Sequence, residues 1–161
     1  MAKFKITING NDQIKRALTN PQLVDGPIRG FLEASVFTVE AKAKELAPVD
    51  RGRLRQTIRG SVKRRVTGLI GLVRAGVRYA PFVEFGTRPH WPPRGALQPW
   101  ARRHGFPAGK VGDFLVRRKI AQKGTDAQPF MEPAIKDSRG KIEGFLVVAG
   151  RQIERMWERG F

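Results

Sequence analysis

Tyr79-Ala80-Pro81-Phe82-Val83-Glu84-Phe85-Gly86-Thr87 is an apolar stretch with a single acid, set in a chain of formal charge +17. Two readings of it are open. In one, Tyr79, Phe82, Val83 and Phe85 are core, and Glu84 caps a backbone or neutralises an arginine, as buried acids usually do. In the other, the stretch is a wall, ending at Gly86-Thr87, that packs against a neighbouring subunit. A second dense stretch lies upstream, Ala47-Pro48-Val49-Asp50-Arg51-Gly52-Arg53-Leu54. Between the two the chain reads as a β-hairpin. Ile58, Val62 and Val66 face one way and Arg59, Lys63 and Arg65 the other. Thr67-Gly68 turns the chain, with Gly68 in the left-handed region. Leu69, Gly71, Val73, Ala75, Val77 and Tyr79 line the apolar face of the return strand, opposite Arg74 and Arg78.

Upstream of the hairpin a long helix is expected. Asp25 can cap it and Pro27 suits its first turn. Ile28, Phe31, Leu32, Ser35, Val39, Ala43 and Leu46 then recur every three or four residues as one buried stripe. Pro48 stops the helix near Ala47. Earlier still, Lys3 to Ile8 alternates as a half-buried strand, and Asp12 caps a short helix from Gln13 to Leu18.

Downstream, Arg88-Pro89-His90-Trp91-Pro92-Pro93 excludes regular structure. Helices from Ala96 to His104 and from Val111 to Gln122 follow, joined by the Gly105–Gly109 turn. Arg88–Gly124 reads as an inserted arm within a single domain, 1–161. Gln128-Pro129-Phe130-Met131 suggests an edge strand. A last helix is striped by Ile142, Phe145, Leu146, Ala149, Ile153, Met156 and Trp157.

Composition narrows the chemistry. With 31 Lys and Arg against 14 Asp and Glu, self-repulsion calls for a polyanion or an acidic protein partner. The absence of cysteine removes disulfides, thiolate metal sites and thiol nucleophiles together. Met1–Lys5 carries charge with no apolar core behind it, unlike a secretory signal. Phe145–Ala149 is far short of the roughly 20 residues a bilayer requires, so no membrane partner is expected.

Catalysis finds little support. Gly105-Phe106-Pro107-Ala108-Gly109-Lys110 is one residue short of a phosphate loop, and Val111 stands where the magnesium-binding hydroxyl belongs. His90 with Glu84, or His104 with Asp113, are the only general-base pairs worth testing, and no spacing unites either. Ser35, Ser61 and Ser138 sit in no nucleophile elbow. No paired carboxylates mark a metal centre. The expectation is no catalytic residue, no metal and no cofactor.

The basic run Arg51, Arg53, Arg55, Arg59, Lys63, Arg64, Arg65 is the best functional surface, either a solvated face or a track for phosphates. Aromatic interleaving is poor, which disfavours base stacking on single strands. Charge alone leaves a nonspecific nucleic-acid-binding protein as the alternative function.

Three segments together resemble a known family. Pro48-Val49-Asp50-Arg51-Gly52-Arg53-Leu54, then Tyr79–Thr87, then Gln128-Pro129-Phe130-Met131-Glu132-Pro133-Ala134 follow the order PVDTGxLR, YAxxVEFGT and QPFxxPA. That order is similar to the tailed-phage neck or tail-completion family, the one related to the minor tail protein Z of phage lambda. Arg51, where a small residue is usual, and the arm 88–124 depart from the pattern. The resemblance implies an α+β fold, an antiparallel sheet packed against a long helix, with a C-terminal helix and an inserted helical arm. It implies a structural virion protein of the head–tail connector, made in the host bacterial cytoplasm. Such a protein forms a ring, as hexamer or dodecamer, that joins the capsid portal assembly to the tail. Its partners would be copies of itself, other connector and tail proteins, and packaged DNA in the lumen. The resemblance carries over no catalytic residue. Pro48, Asp50, Gly52, Leu54, Tyr79, Pro81, Glu84, Phe85, Gly86, Thr87, Pro129, Phe130 and Pro133 become fold determinants, with Glu84 and Gly86 fixing a turn beside the sheet. Arg51, Arg53, Arg55, Arg59, Lys63, Arg65, Trp91 and Trp100 become candidate contacts to partners or DNA.

Overall fold

The computed structural model describes residues 21–66 and 68–159. The expected strand at Lys3–Ile8 and helix at Gln13–Leu18 lie outside the described residues. The fold is mixed α+β and mostly helical: α1 (Pro21–Leu46), α2 (Arg53–Thr57), β1 (Ile58–Arg65), β2 (Gly68–Ala75), α3 (Ala80–Phe85), α4 (Gln98–Arg103), α5 (Lys110–Lys123) and α6 (Met131–Glu158). Its packing defines two units. One contains residues 21–40, 60–73 and 137–159, the other residues 41–59 and 74–136.

In the first unit α1 packs on the hairpin. It starts earlier than Asp25, at Pro21, a first-turn position where a proline loses no hydrogen bond. Pro27 therefore sits inside the helix. Asp25 does not cap it; its carboxylate pairs with Arg64 instead. The expected stripe is present: Ser35, Val39 and Ala43 are buried, and Ile28, Phe31 and Leu32 are half-buried.

Among the described residues the sheet has two strands, β1 beside β2. Ile58 is buried and Val62 half-buried, on the face expected. Val66 is fully exposed, because the link between the strands begins there, one residue ahead of the expected turn. Gly68 opens β2 with φ +127. The return strand ends at Ala75, so Val77 and Tyr79 fall beyond it.

Helix and sheet meet at glycines. A Cβ on Gly71 would lie 2.7 Å from Val36 Cγ2, and one on Gly60 would also strike Val36. The Glu40 carboxylate accepts the Gly60 N–H at 2.6 Å. Substituting Gly71 by alanine is therefore expected to cost about 1–3 kcal/mol through overpacking. Thermal unfolding followed by circular dichroism checks this, and an unchanged midpoint contradicts a close helix–sheet contact.

The stripe on α6 is only partly buried. Ser138 and Ala149 are buried, with Ile142, Phe145 and Ile153 half-buried between and beyond them. Leu146, Met156 and Trp157, expected on that stripe, are exposed. Leu146 and Trp157 lie one position off the line through Ser138, Phe145, Ala149 and Met156, and 100° per residue turns them to the flank. Met156 is on that line, close to the helix end at Glu158. No described helix is long and apolar enough to cross a membrane.

Candidate interaction site: an arm closed at its base

The site belongs to the second unit and is built around α3. Pro81 suits its first turn, where its missing N–H would be unpaired anyway. Ala80 and Glu84, four residues apart, face inward and are buried. The core reading of the aromatics fails. Tyr79, Phe82 and Phe85 are 44%, 59% and 77% exposed, because they occupy the opposite side of this short helix.

Glu84 organises the entrance to α6. Its Oε2 accepts the N–H groups of Phe130 and Met131 at 2.8 and 2.9 Å, and its Oε1 accepts that of Glu132 at 2.9 Å. A helix leaves its first four N–H groups without internal partners. Here one carboxylate takes three of them, and the fourth position is Pro133, which has no N–H. Burial raises the Glu84 pKa, but the three backbone bonds outweigh it and hold the carboxyl below its ordinary value. The expected edge strand at Gln128–Met131 is consequently absent. Gln128 donates to the Val83 carbonyl at 2.8 Å, and Phe130 is buried where the helix begins. Glu84 acts within a helix and on another helix, so the expected turn beside the sheet is also corrected.

Next to this cap the arm closes on itself. Thr87 and Thr125 form an antiparallel bridge, N–H to carbonyl in both directions, at 3.1 and 3.2 Å. Their hydroxyls are 3.0 Å apart. Gly86 and Gly124 flank it with φ +69 and +74. A Cβ on Gly124 would run into the Thr87 carbonyl, and one on Gly86 into that of Thr125.

The other motif ties in through Asp50. Arg103 Nε donates to Asp50 Oδ1 at 2.9 Å, and this hydrogen bond holds the Asp50 carboxyl below its usual range. Pro48 follows the end of α1, Gly52 with φ +73 precedes α2, and Leu54 is buried.

Inside the arm, α4 and α5 pack on each other around Ala101 and Val116. Gly105–Gly109 is the turn between them, as expected. Asp113 is 4% exposed; its oxygens accept the N–H groups of Gly95 at 2.9 Å and Leu97 at 3.1 Å, with Arg117 at 3.7 Å. Arg117 Nε donates to the Pro92 carbonyl at 2.8 Å, and its guanidinium lies 5.4 Å from the Trp91 ring. Trp91 also stacks with Phe114 at 6.4 Å. Trp91, Gly95, Asp113, Phe114 and Arg117 border a cleft of about 760 Å³ that also takes in Arg94, Gln98 and Lys110.

Neither histidine pair forms. His90 Nδ1 meets the Arg88 carbonyl, and His104 Nδ1 meets that of Trp100, on whose ring it stacks at 3.9 Å. Among the described residues no group of His, Asp and Glu could hold a metal ion.

The candidate contacts are all exposed but do not form one strand face. Arg51 lies in a loop, Arg53 and Arg55 on α2, and Arg59 on β1. These four belong to the second unit, while Lys63, Arg64 and Arg65 belong to the first. The hairpin starts only at Ile58, which excludes the first three from it. Trp91 lies in the loop entering the arm and Trp100 on α4. Of the cleft residues, Arg94, Phe114 and Arg117 were missed, while Lys110 and Asp113 were weighed only as parts of a phosphate loop and a histidine pair. One signal was available: Asp113 is the only acid among nine Lys and Arg in residues 88–124, the mark of a structural acid.

Residues 12–86 match the model of a phage family, HK97-gp10-like, described as "Bacteriophage HK97-gp10, putative tail-component". The matched part takes in α1, the hairpin and α3, and it stops before the arm. No curated protein and no solved structure gives a match.

Proposed function

We propose that the chain is a non-enzymatic structural protein of a tailed-phage virion that assembles as a ring at the head–tail junction and joins the portal assembly to the tail. The observation that carries this reading is the match of residues 12–86 to a phage tail-component family. A second observation supports it. The matched block ends in Tyr79, Phe82 and Phe85, three aromatics left largely in water. Exposed apolar patches of this kind mark contacts between proteins, and a ring requires such a patch on every subunit. On this reading α3 meets the neighbouring subunit. Arg88–Gly124 is an insertion into one tail-completion domain of the kind related to the minor tail protein Z of phage lambda. The cations at Arg51–Arg59 and Lys63–Arg65 face acidic virion proteins or DNA in the lumen.

The test is complementation of a phage lacking the gene with a Phe82→Glu, Phe85→Glu double variant. Both side chains point to solvent, so the monomer should fold. Full heads and separate tails should accumulate, and imaging should show the connector without this protein. Normal yields of joined particles, or wild-type particles whose neck lacks the chain, refute the proposal.

A further inference from the structure

The cleft in the arm lies outside the matched block and has no assigned occupant. We propose that it is a socket for an acidic protein segment carrying an aromatic side chain. The inference stands on the cleft's own geometry and holds whether or not the chain forms a ring.

Its walls supply two kinds of contact. Trp91 is 59% exposed although Arg117 and Phe114 both hold its ring in place, so an open aromatic surface is presented on a fixed support. Phe114 is itself about half exposed. An incoming ring stacking there gains contact beyond the burial of area alone.

The charge is equally specific. Arg117 is already engaged with Pro92 and Asp113, and Asp113 is satisfied by two backbone donors. Arg94 and Lys110 make no ion pair or hydrogen bond among the described residues, so the cleft offers two free cations and no free acid. Carboxylates beside the aromatic residue of a partner complete them with charge-assisted bonds.

Other occupants fit less well. A duplex cannot enter a space of about 760 Å³. A single base could, but Asp113 has its oxygens committed, which leaves the Gln98 amide as the one side chain of the lining able to accept from a base edge. A second copy of a chain with charge +17 brings the wrong sign.

The experiment is a calorimetric titration of the full chain at physiological salt. The probe is an end-blocked pentapeptide with phenylalanine between two pairs of glutamates. Comparators are the same peptide with alanine at its centre and a short thymidine oligonucleotide. The phenylalanine peptide should bind at least about tenfold more tightly than the alanine peptide, since the aromatic contact adds to the area buried. An Arg94→Glu, Lys110→Glu double variant should abolish binding; both side chains are unpaired at the surface, so the fold is retained. Trp91→Ala should weaken binding about tenfold and Trp91→Phe restore most of it. Equal binding of the two peptides, wild-type affinity in the double variant, or preference for the oligonucleotide each overturns the proposal.

Discussion

Glu84→Ala should be among the most damaging single changes in this chain, costing about 3 kcal/mol at neutral pH. The substitution deprives three N–H groups at the start of α6 of their acceptor. That of Phe130 is buried and cannot turn to water. Glu84→Gln keeps the shape but loses the charge and one acceptor oxygen, so its loss should be smaller. The pH dependence follows from the depressed pKa of Glu84. The unfolded chain titrates this group at the ordinary glutamate value. The stabilisation is therefore complete above that value and disappears as pH falls through the lower folded pKa. The gap between wild type and Glu84→Gln should accordingly narrow in acid. Urea unfolding suffices, read in a Trp157→Phe background so that only Trp91 and Trp100, both in the second unit, report. A gap that stays constant or widens towards low pH excludes the carboxylate as the cap.

Phe130→Ala should be comparably severe, about 3–5 kcal/mol, since it empties a site that is 2% exposed. Phe130→Leu keeps most of the volume and should cost about 1–2 kcal/mol. Because Phe130 donates its own N–H to Glu84, the two changes share a structure. Combined with Glu84→Ala, the losses should fall short of their sum by a measurable coupling. Strict additivity in the same fluorescence assay would place side chain and cap in separate structures.

How far the residues alone disclosed all this varies with range. The long helix and the hairpin were legible because each rests on a repeat of two or about 3.6 residues within its own segment, and the helices of residues 88–124 because a glycine turn separates them. Errors gathered at ends and at exposed apolar residues. Asp25 resembles a cap and serves as an ion-pair partner, and Leu146 falls just off the buried line of α6. The aromatics of α3 left core and docking wall both open, because hydrophobicity states what a side chain avoids, and not whether this chain or another one covers it.

By itself the sequence determined the long helix, the hairpin, the two helices of residues 88–124 and the last helix, their order, the excess of positive charge and the absence of any thiol chemistry; the short helices α2 and α3 were not read from it. The family resemblance was also visible there, in three short motifs. The tertiary structure decided what those motifs do for one another. Glu84 meets partners 46 to 48 residues away, Thr87 closes on Thr125, and Trp91 joins Arg117 and Phe114 in a cleft. Such pairings carry no local period, because they depend on how the chain between them folds back. Only the folded molecule fixes which lone acid becomes a cap and which free cations come to share a cleft.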